Sequence, residues 1–145
     1  GLFAQSDIAK DEVIVEYKGK VISKAQYNRK PQKKCRYVYA LRKVHFGKEL
    51  FIDANEAKFG KARFANHSCS PNCRMEEWHV NGFIRVVLVA QKDISAAAKE
   101  PLAFDYLDII ILFEPFCRYR SESCRLPPPK DRSDGQLLMT INLDT

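Results

Sequence analysis

Asn81-Gly82 stands between Glu77-Trp78-His79-Val80 and the run Phe83 to Ala90, FIRVVLVA. An Asn-Gly pair supplies the two positive-φ residues of a type I′ turn, whose twist matches that of the antiparallel strands on either side. The pair therefore predicts a β-hairpin. Other strand signals are short and frequent. Glu12 to Tyr17 (EVIVEY) alternates apolar and polar residues, as a half-buried strand does, and Lys18 to Lys20 supplies a Gly-containing turn. Tyr37 to Leu41 and Leu50 to Ile52 are further β-like runs. Helical pattern is confined to Ser23 to Lys30, about two turns, where Pro31 stops it. Strands this short and this often punctuated specify a mostly β domain, and 145 residues is the size of one.

Composition narrows the function classes. Hydrophobic residues make up 46% and charged residues 29%, so the chain is neither disordered nor fibrous. The longest apolar stretch, Ile109 to Phe113, is far short of the ~20 residues of a membrane span. The opening Gly-Leu-Phe, with no initiator Met and no leader, reads as a fragment without a targeting signal. Net charge is +6 and unevenly distributed: Lys18 to Lys48 holds eleven Lys or Arg and no Asp or Glu. Such a half favours an anionic partner, although a solvated Lys-rich face explains it equally well. No phosphate loop or helix-turn-helix pattern accompanies the charge. Five cysteines, Cys35, Cys69, Cys73, Cys117 and Cys124, are an odd number, which argues against a disulfide framework and suits a reducing compartment. Their spacings do not form a regular zinc-finger pattern.

Polar chemistry concentrates in Lys61 to Cys73, KARFANHSCSPNC. Asn66-His67 offers donors and acceptors for a polar cofactor, and the same pair also suits an ordinary polar turn. Its company decides. Gly1-Leu2-Phe3-Ala4, Asp7-Ile8, Glu16-Tyr17-Lys18-Gly19-Lys20, Phe51-Ile52-Asp53-Ala54, Arg63 to Cys73 and Phe104-Asp105-Tyr106 follow one another in the order of the SET domain, and the chain resembles that family over residues 1 to about 125. Cys73 to Gly82, CRMEEWHVNG, is similar to the Cys-x-x-x-x-Trp-x-Val-Asn-Gly segment of the absent-small-homeotic, NSD and Set2-like group.

The resemblance implies a β-clip fold of several short sheets with a C-terminal pseudoknot and few short helices. It implies transfer of a methyl group from S-adenosylmethionine to a lysine ε-amine of histone H3, with a nucleosome as substrate and the nucleus as location. By the same resemblance Tyr106 is the catalytic tyrosine, Asn66, His67, Arg36 and Tyr37 contact the cofactor, and Phe104 and Tyr37 line the lysine channel. Phe rather than Tyr at 104 leaves room for methylation beyond the first step. Asp53 reads as a structural carboxylate. Nucleosomal DNA would meet the basic 18–48 segment; no membrane partner is implied. The domain would span 1–107, a post-SET segment 108–126, and a Pro-rich extension 127–145.

Three departures qualify these expectations. The family's cofactor loop carries a Gly-x-Gly ahead of Leu-Phe, of which Gly1 matches the second Gly. The group's Cys-x-Cys-x-x-x-x-Cys zinc motif has Tyr119 at its middle position, leaving Cys69, Cys117 and Cys124 as three ligands where structural zinc takes four; either Cys73 completes the set or the site is lost. Ala98-Lys99-Glu100-Pro101-Leu102 replaces Gly-Glu-Glu-Leu, so a turn that wants glycine lacks it. The altered zinc motif supports one alternative, a catalytically silent SET module that binds a histone tail or nucleosome as a scaffold. A basic nucleic-acid-binding β domain is a third reading, carried by charge alone.

Overall fold

The computed structural model describes residues 1–105. Tyr106, Cys117, Tyr119 and Cys124 lie outside the described residues, as do the expected segments 108–126 and 127–145. Nine short strands among the described residues form three three-stranded sheets. They are β1 (Leu2–Phe3), β2 (Val13–Glu16), β3 (Lys20–Ser23), β4 (Val38–Ala40), β5 (Leu50–Asp53), β6 (Asn66–His67), β7 (Cys73–Val80), β8 (Phe83–Ala90) and β9 (Pro101–Phe104). The mostly β, many-sheeted architecture is the one the sequence predicts.

The β7–β8 hairpin is the largest unit. It turns at Asn81-Gly82, both with positive φ, and pairs without slippage from Val80↔Phe83 to Cys73↔Ala90. Its first strand reaches back to Cys73, four residues earlier than the apolar pattern of 77–80 announces. β2 adds to the other edge of β8 with a bulge between Val13 and Val15. The inner end of β8, Val86 to Ala90, is wholly buried and packs with Leu2, Tyr39, Ile94 and Leu102 in the core.

The second sheet has the order β3-β5-β4. Lys20, read from sequence as the end of a turn, instead begins β3 and pairs with Asp53. Gly19 makes this approach possible, because a Cβ there would fall 2.5 Å from Ile52 Cγ2 and 2.7 Å from the Asp53 carbonyl oxygen. Ser23 ends β3 and caps the helix α1 (Lys24–Asn28): its hydroxyl accepts from Gln26 N–H at 3.2 Å, and Gln26 Oε1 accepts from Ser23 N–H at 2.8 Å. The helix is shorter than its sequence pattern suggests. Its main packing contact is Tyr27, stacked on Phe51 at 4.5 Å. Asp53 is structural, as expected. It accepts from Asn55 N–H at 3.1 Å and pairs with Lys30 at 2.5 Å. Burial opposes its charge, but the Lys30 and Asn55 bonds outweigh burial and hold the carboxyl below its ordinary value.

The third sheet, β1-β9-β6, brings the chain ends of the described region together. Lys99 enters β9 in the left-handed region (φ 48), where the glycine-deficient turn was expected to need freedom. Asn72, fully buried, secures β9 to the loop ahead of β7. Its Nδ2 donates to the Pro101 carbonyl at 3.0 Å, and its Oδ1 accepts from Ala103 N–H at 2.9 Å. Asn72→Ala strands both backbone groups in the interior. We expect it to lower stability by about 3 kcal/mol in urea unfolding; a loss below about 1 kcal/mol would show that the clamp is dispensable.

Candidate active site

Three distant segments converge on β9. β1 runs antiparallel to it (Leu2↔Leu102), while β6 runs parallel, setting Asn66 beside Ala103 and His67 beside Phe104. Ser68 N–H donates to the Phe104 carbonyl at 3.1 Å, which extends the pairing beyond β6. Gly1 lies against Asn66: a Cβ there would meet Asn66 Nδ2 at 2.9 Å and the Phe3 ring at 3.4 Å. Glycine at the first position therefore leaves the Asn66 amide space that any other residue would fill.

The His67 ring is buried between two polar groups. Nδ1 faces Asp105 Oδ1 at 3.7 Å and Nε2 meets Cys69 Sγ at 3.3 Å. Asp105 thus stands close to the ring, a neighbour that Phe104 and Tyr106 in the motif do not announce. The loop that follows is locked locally, with Ser68 Oγ accepting from Ser70 N–H at 3.1 Å. Phe104 is buried at the end of β9, next to His67 in register.

Arg36 and Tyr37 belong to a second cluster. The Tyr37 ring meets Phe64 edge-on at 5.8 Å and lies 5.1 Å from the Arg63 guanidinium, which also covers Phe64 at 4.7 Å. Arg63 Nη1 donates to the Ala54 and Asn55 carbonyls at 2.9 and 2.8 Å, so one side chain joins the end of β5 to both rings. Arg36, exposed, covers Tyr37 at 5.5 Å. Tyr17 completes the cluster through its hydroxyl, which donates to the Tyr37 carbonyl at 3.2 Å. The 3-10 turn Ala62–Phe64 leads through Ala65 directly into Asn66 and so couples this cluster to the β9 site. Local sequence gives no sign of the Arg63 sandwich, since its partners lie about ten and about thirty residues upstream.

Among the described residues no group of three or more His, Cys, Asp or Glu could hold a metal ion. Of the three expected zinc ligands only Cys69 is described, and it is half-buried beside His67. Cys73 does not fit as the replacement ligand. It is inaccessible on β7, its thiol donates to Asn72 Oδ1 at 3.3 Å, and burial pushes that thiol up to about 12. A thiol so disposed stays protonated and inside the core, whereas a zinc ligand is a thiolate.

The arrangement agrees with the comparisons with known proteins. The sequence pattern of the SET domain matches residues 1–107. The chain belongs to the SET domain family. It is 38% identical to the histone-lysine N-methyltransferase ASHR3 of Arabidopsis thaliana over 86% of this chain and 25% of that protein. It is 34% identical to the histone-lysine N-methyltransferase ash1 of Drosophila melanogaster, over 86% of this chain and 6% of that one. A third relative, the H3 lysine-36 specific histone-lysine N-methyltransferase of Candida albicans, is 35% identical over 73% of the chain and 12% of its own length. The SET chain thus spans a quarter or less of these relatives. Among solved structures, CpSET8 from Cryptosporidium superposes with a TM-score of 0.59 at 28% identity, covering 72% of this chain and 50% of that one.

The three described cysteines of this SET chain differ enough in burial to be told apart chemically. Iodoacetamide at pH 8 should label Cys35 and Cys69 in the native protein and leave Cys73 unmodified until denaturant is added, as read by peptide mass spectrometry. Native labelling of Cys73 at the rate of Cys35 would contradict its assignment to the core.

Proposed function

We propose that this chain is the catalytic module of a histone lysine N-methyltransferase that uses S-adenosylmethionine and acts on histone H3 within the nucleosome, in the nucleus. The observation that carries the reading is the meeting of Gly1, Asn66-His67 and Phe104 on one three-stranded sheet. The residues present suit the cofactor: the space kept open beside the Asn66 amide by Gly1 is a cradle that a Cβ would fill. Asn66 and His67 would bind its polar portions, with Arg36 and Tyr37 contributing from the second cluster. The cofactor supplies an electrophilic methyl group on a sulfonium.

The chain's own residues have three tasks. The first is alignment, worth roughly 7–11 kcal/mol when two reactants are held in line, which removes any need for a covalent intermediate. The second is to favour the neutral lysine. A free amine with a pKa near ~10.4 is almost wholly protonated at neutral pH, and a dry aromatic channel lined by Phe104 and Tyr37 shifts it toward the nucleophilic form. The third is to orient the reacting groups, which falls to the Tyr106 hydroxyl. Phe104 brings no hydroxyl into the channel, so a methylated amine is not crowded out.

The H3 substrate is supported by the similarity to the H3 lysine-36 specific enzyme, and by the basic run 18–48, which suits a lysine lying close to DNA.

The test is methyl transfer from labelled S-adenosylmethionine to recombinant nucleosomes, with the modified lysine mapped by mass spectrometry. Tyr106→Phe should lower the rate at least about 100-fold without altering the melting temperature. Phe104→Tyr should stop the product at one methyl group where the parent goes further. A folded chain that binds cofactor yet transfers nothing would favour the silent scaffold, the reading to which the Cys-to-Tyr change at Tyr119 points.

A further inference from the structure

β4 and β5 are joined by a projecting hairpin, residues 41–49, that the methyl-transfer site does not use. It closes on an antiparallel bridge between His45 and Lys48, with His45 N–H donating to Lys48 O at 3.0 Å and Lys48 N–H to His45 O at 2.9 Å. The two residues between them, Phe46 and Gly47, have φ values of 53° and 71°, the sign a type I′ turn requires at both positions. Glycine and asparagine suit that conformation; phenylalanine does not. The Phe46 ring is also 77% exposed, and Val44 beside it is 65% exposed. The fold therefore gains nothing from an aromatic ring at this position and holds it in an unfavourable backbone state.

The base of the hairpin, by contrast, is firmly held. The buried Glu77 carboxylate of β7 accepts from Arg42 N–H at 2.6 Å and from Lys43 N–H at 3.3 Å. His45, buried, lies 2.7 Å from His79 Nε2 through Nδ1 and 3.4 Å from Glu77 Oε2 through Nε2, and the Arg42 guanidinium donates to the Met75 carbonyl. The result is a tight turn, closed by one antiparallel bridge and anchored on β7, with an exposed aromatic tip. Lys43 and Lys48 are exposed on its two arms, and neither has a carboxylate within ion-pairing distance among the described residues.

We infer that this turn, with Phe46 at its tip and Lys43 and Lys48 on its arms, is a contact for duplex DNA. The proposal rests on the nucleosome part of the proposed function and names the element that would carry it. Charge complementarity selects the partner: the turn closes the segment 18–48, with eleven cations and no acidic residue, which attracts a polyanion, and Glu49 just beyond it is paired with Lys24. Exposed cations on either side of the turn can meet phosphates, and an apolar side chain at the tip can wedge against a base step. One ring and one valine are too little apolar surface to anchor in a lipid bilayer.

The experiment is fluorescence anisotropy of the full chain with a short labelled duplex, from about 50 to about 200 mM potassium chloride. Lys43→Gln/Lys48→Gln should reduce the slope of log affinity against log salt by about 2. Phe46→Asn, which suits the turn, should weaken binding about tenfold with the slope unchanged and leave the melting temperature equal or higher. Wild-type affinity and slope in both variants, or a wild-type chain that binds anionic vesicles but not the duplex, would overturn the proposal. Methyl transfer to a free H3 tail peptide, measured in parallel, should be the same for all three proteins. If no protein transfers methyl groups while the duplex results hold, the catalytic reading fails and the DNA contact stands.

Discussion

The buried amide of Asn72 is the interaction on which the rest of the site depends. One side chain donates to the carbonyl of Pro101 and accepts from the N–H of Ala103, so it ties the loop ahead of β7 to the strand that β1 and β6 flank. It adds to the backbone pairing of β9 with β1 and β6, which sets Asn66 beside Ala103 and His67 beside Phe104. A polar clamp inside an apolar core is costly when half satisfied and specific when complete. Here both ends are met, so the loop from Asn66 to Cys73 and the strand that precedes Asp105 move as one body.

The parts of this fold that the sequence discloses are those whose pairing is local. The β7–β8 hairpin is legible because Asn81-Gly82 names its own turn and FIRVVLVA its own strand. The short helix is legible in the same way from the pattern that begins at Ser23, although α1 stops after five residues. β1 and β6 are different. Two residues carry no periodicity, and Leu2 finds Leu102 across a hundred residues of chain, so nothing nearby in sequence reports the pairing. Lys20 was hidden for another reason: a glycine before it reads as a turn, whereas Gly19 is needed for close backbone packing against Ile52 and Asp53.

The candidate site divides along the same line. Asn66-His67 and Phe104-Asp105 are visible as motifs only through the family resemblance, since neither pair has an informative pattern of its own. That His67 faces Asp105, and that Arg63 joins Tyr37 and Phe64 to the end of β5, follow from three-dimensional neighbours and not from spacing. Charge behaves in the opposite way. The basic run 18–48 is plain in the sequence, but only the structure separates cations that are paired, such as Lys30 with Asp53, Lys24 with Glu49 and Arg42 with Glu77, from Lys43 and Lys48, which make no ion pair among the described residues. The described region therefore presents a polar cluster organised by β9 and a basic, aromatic-tipped turn organised by Glu77.

The central claim is that β9 gathers Gly1, Asn66-His67 and Phe104-Asp105 into one cofactor cradle. Amide hydrogen exchange with and without S-adenosylhomocysteine tests it most directly. The account predicts slowed exchange in residues 2–4, 66–69 and 102–105, with the outer half of the β7–β8 hairpin unchanged. Protection confined to that hairpin or to the 41–49 turn, with none along β9 and β6, would contradict it.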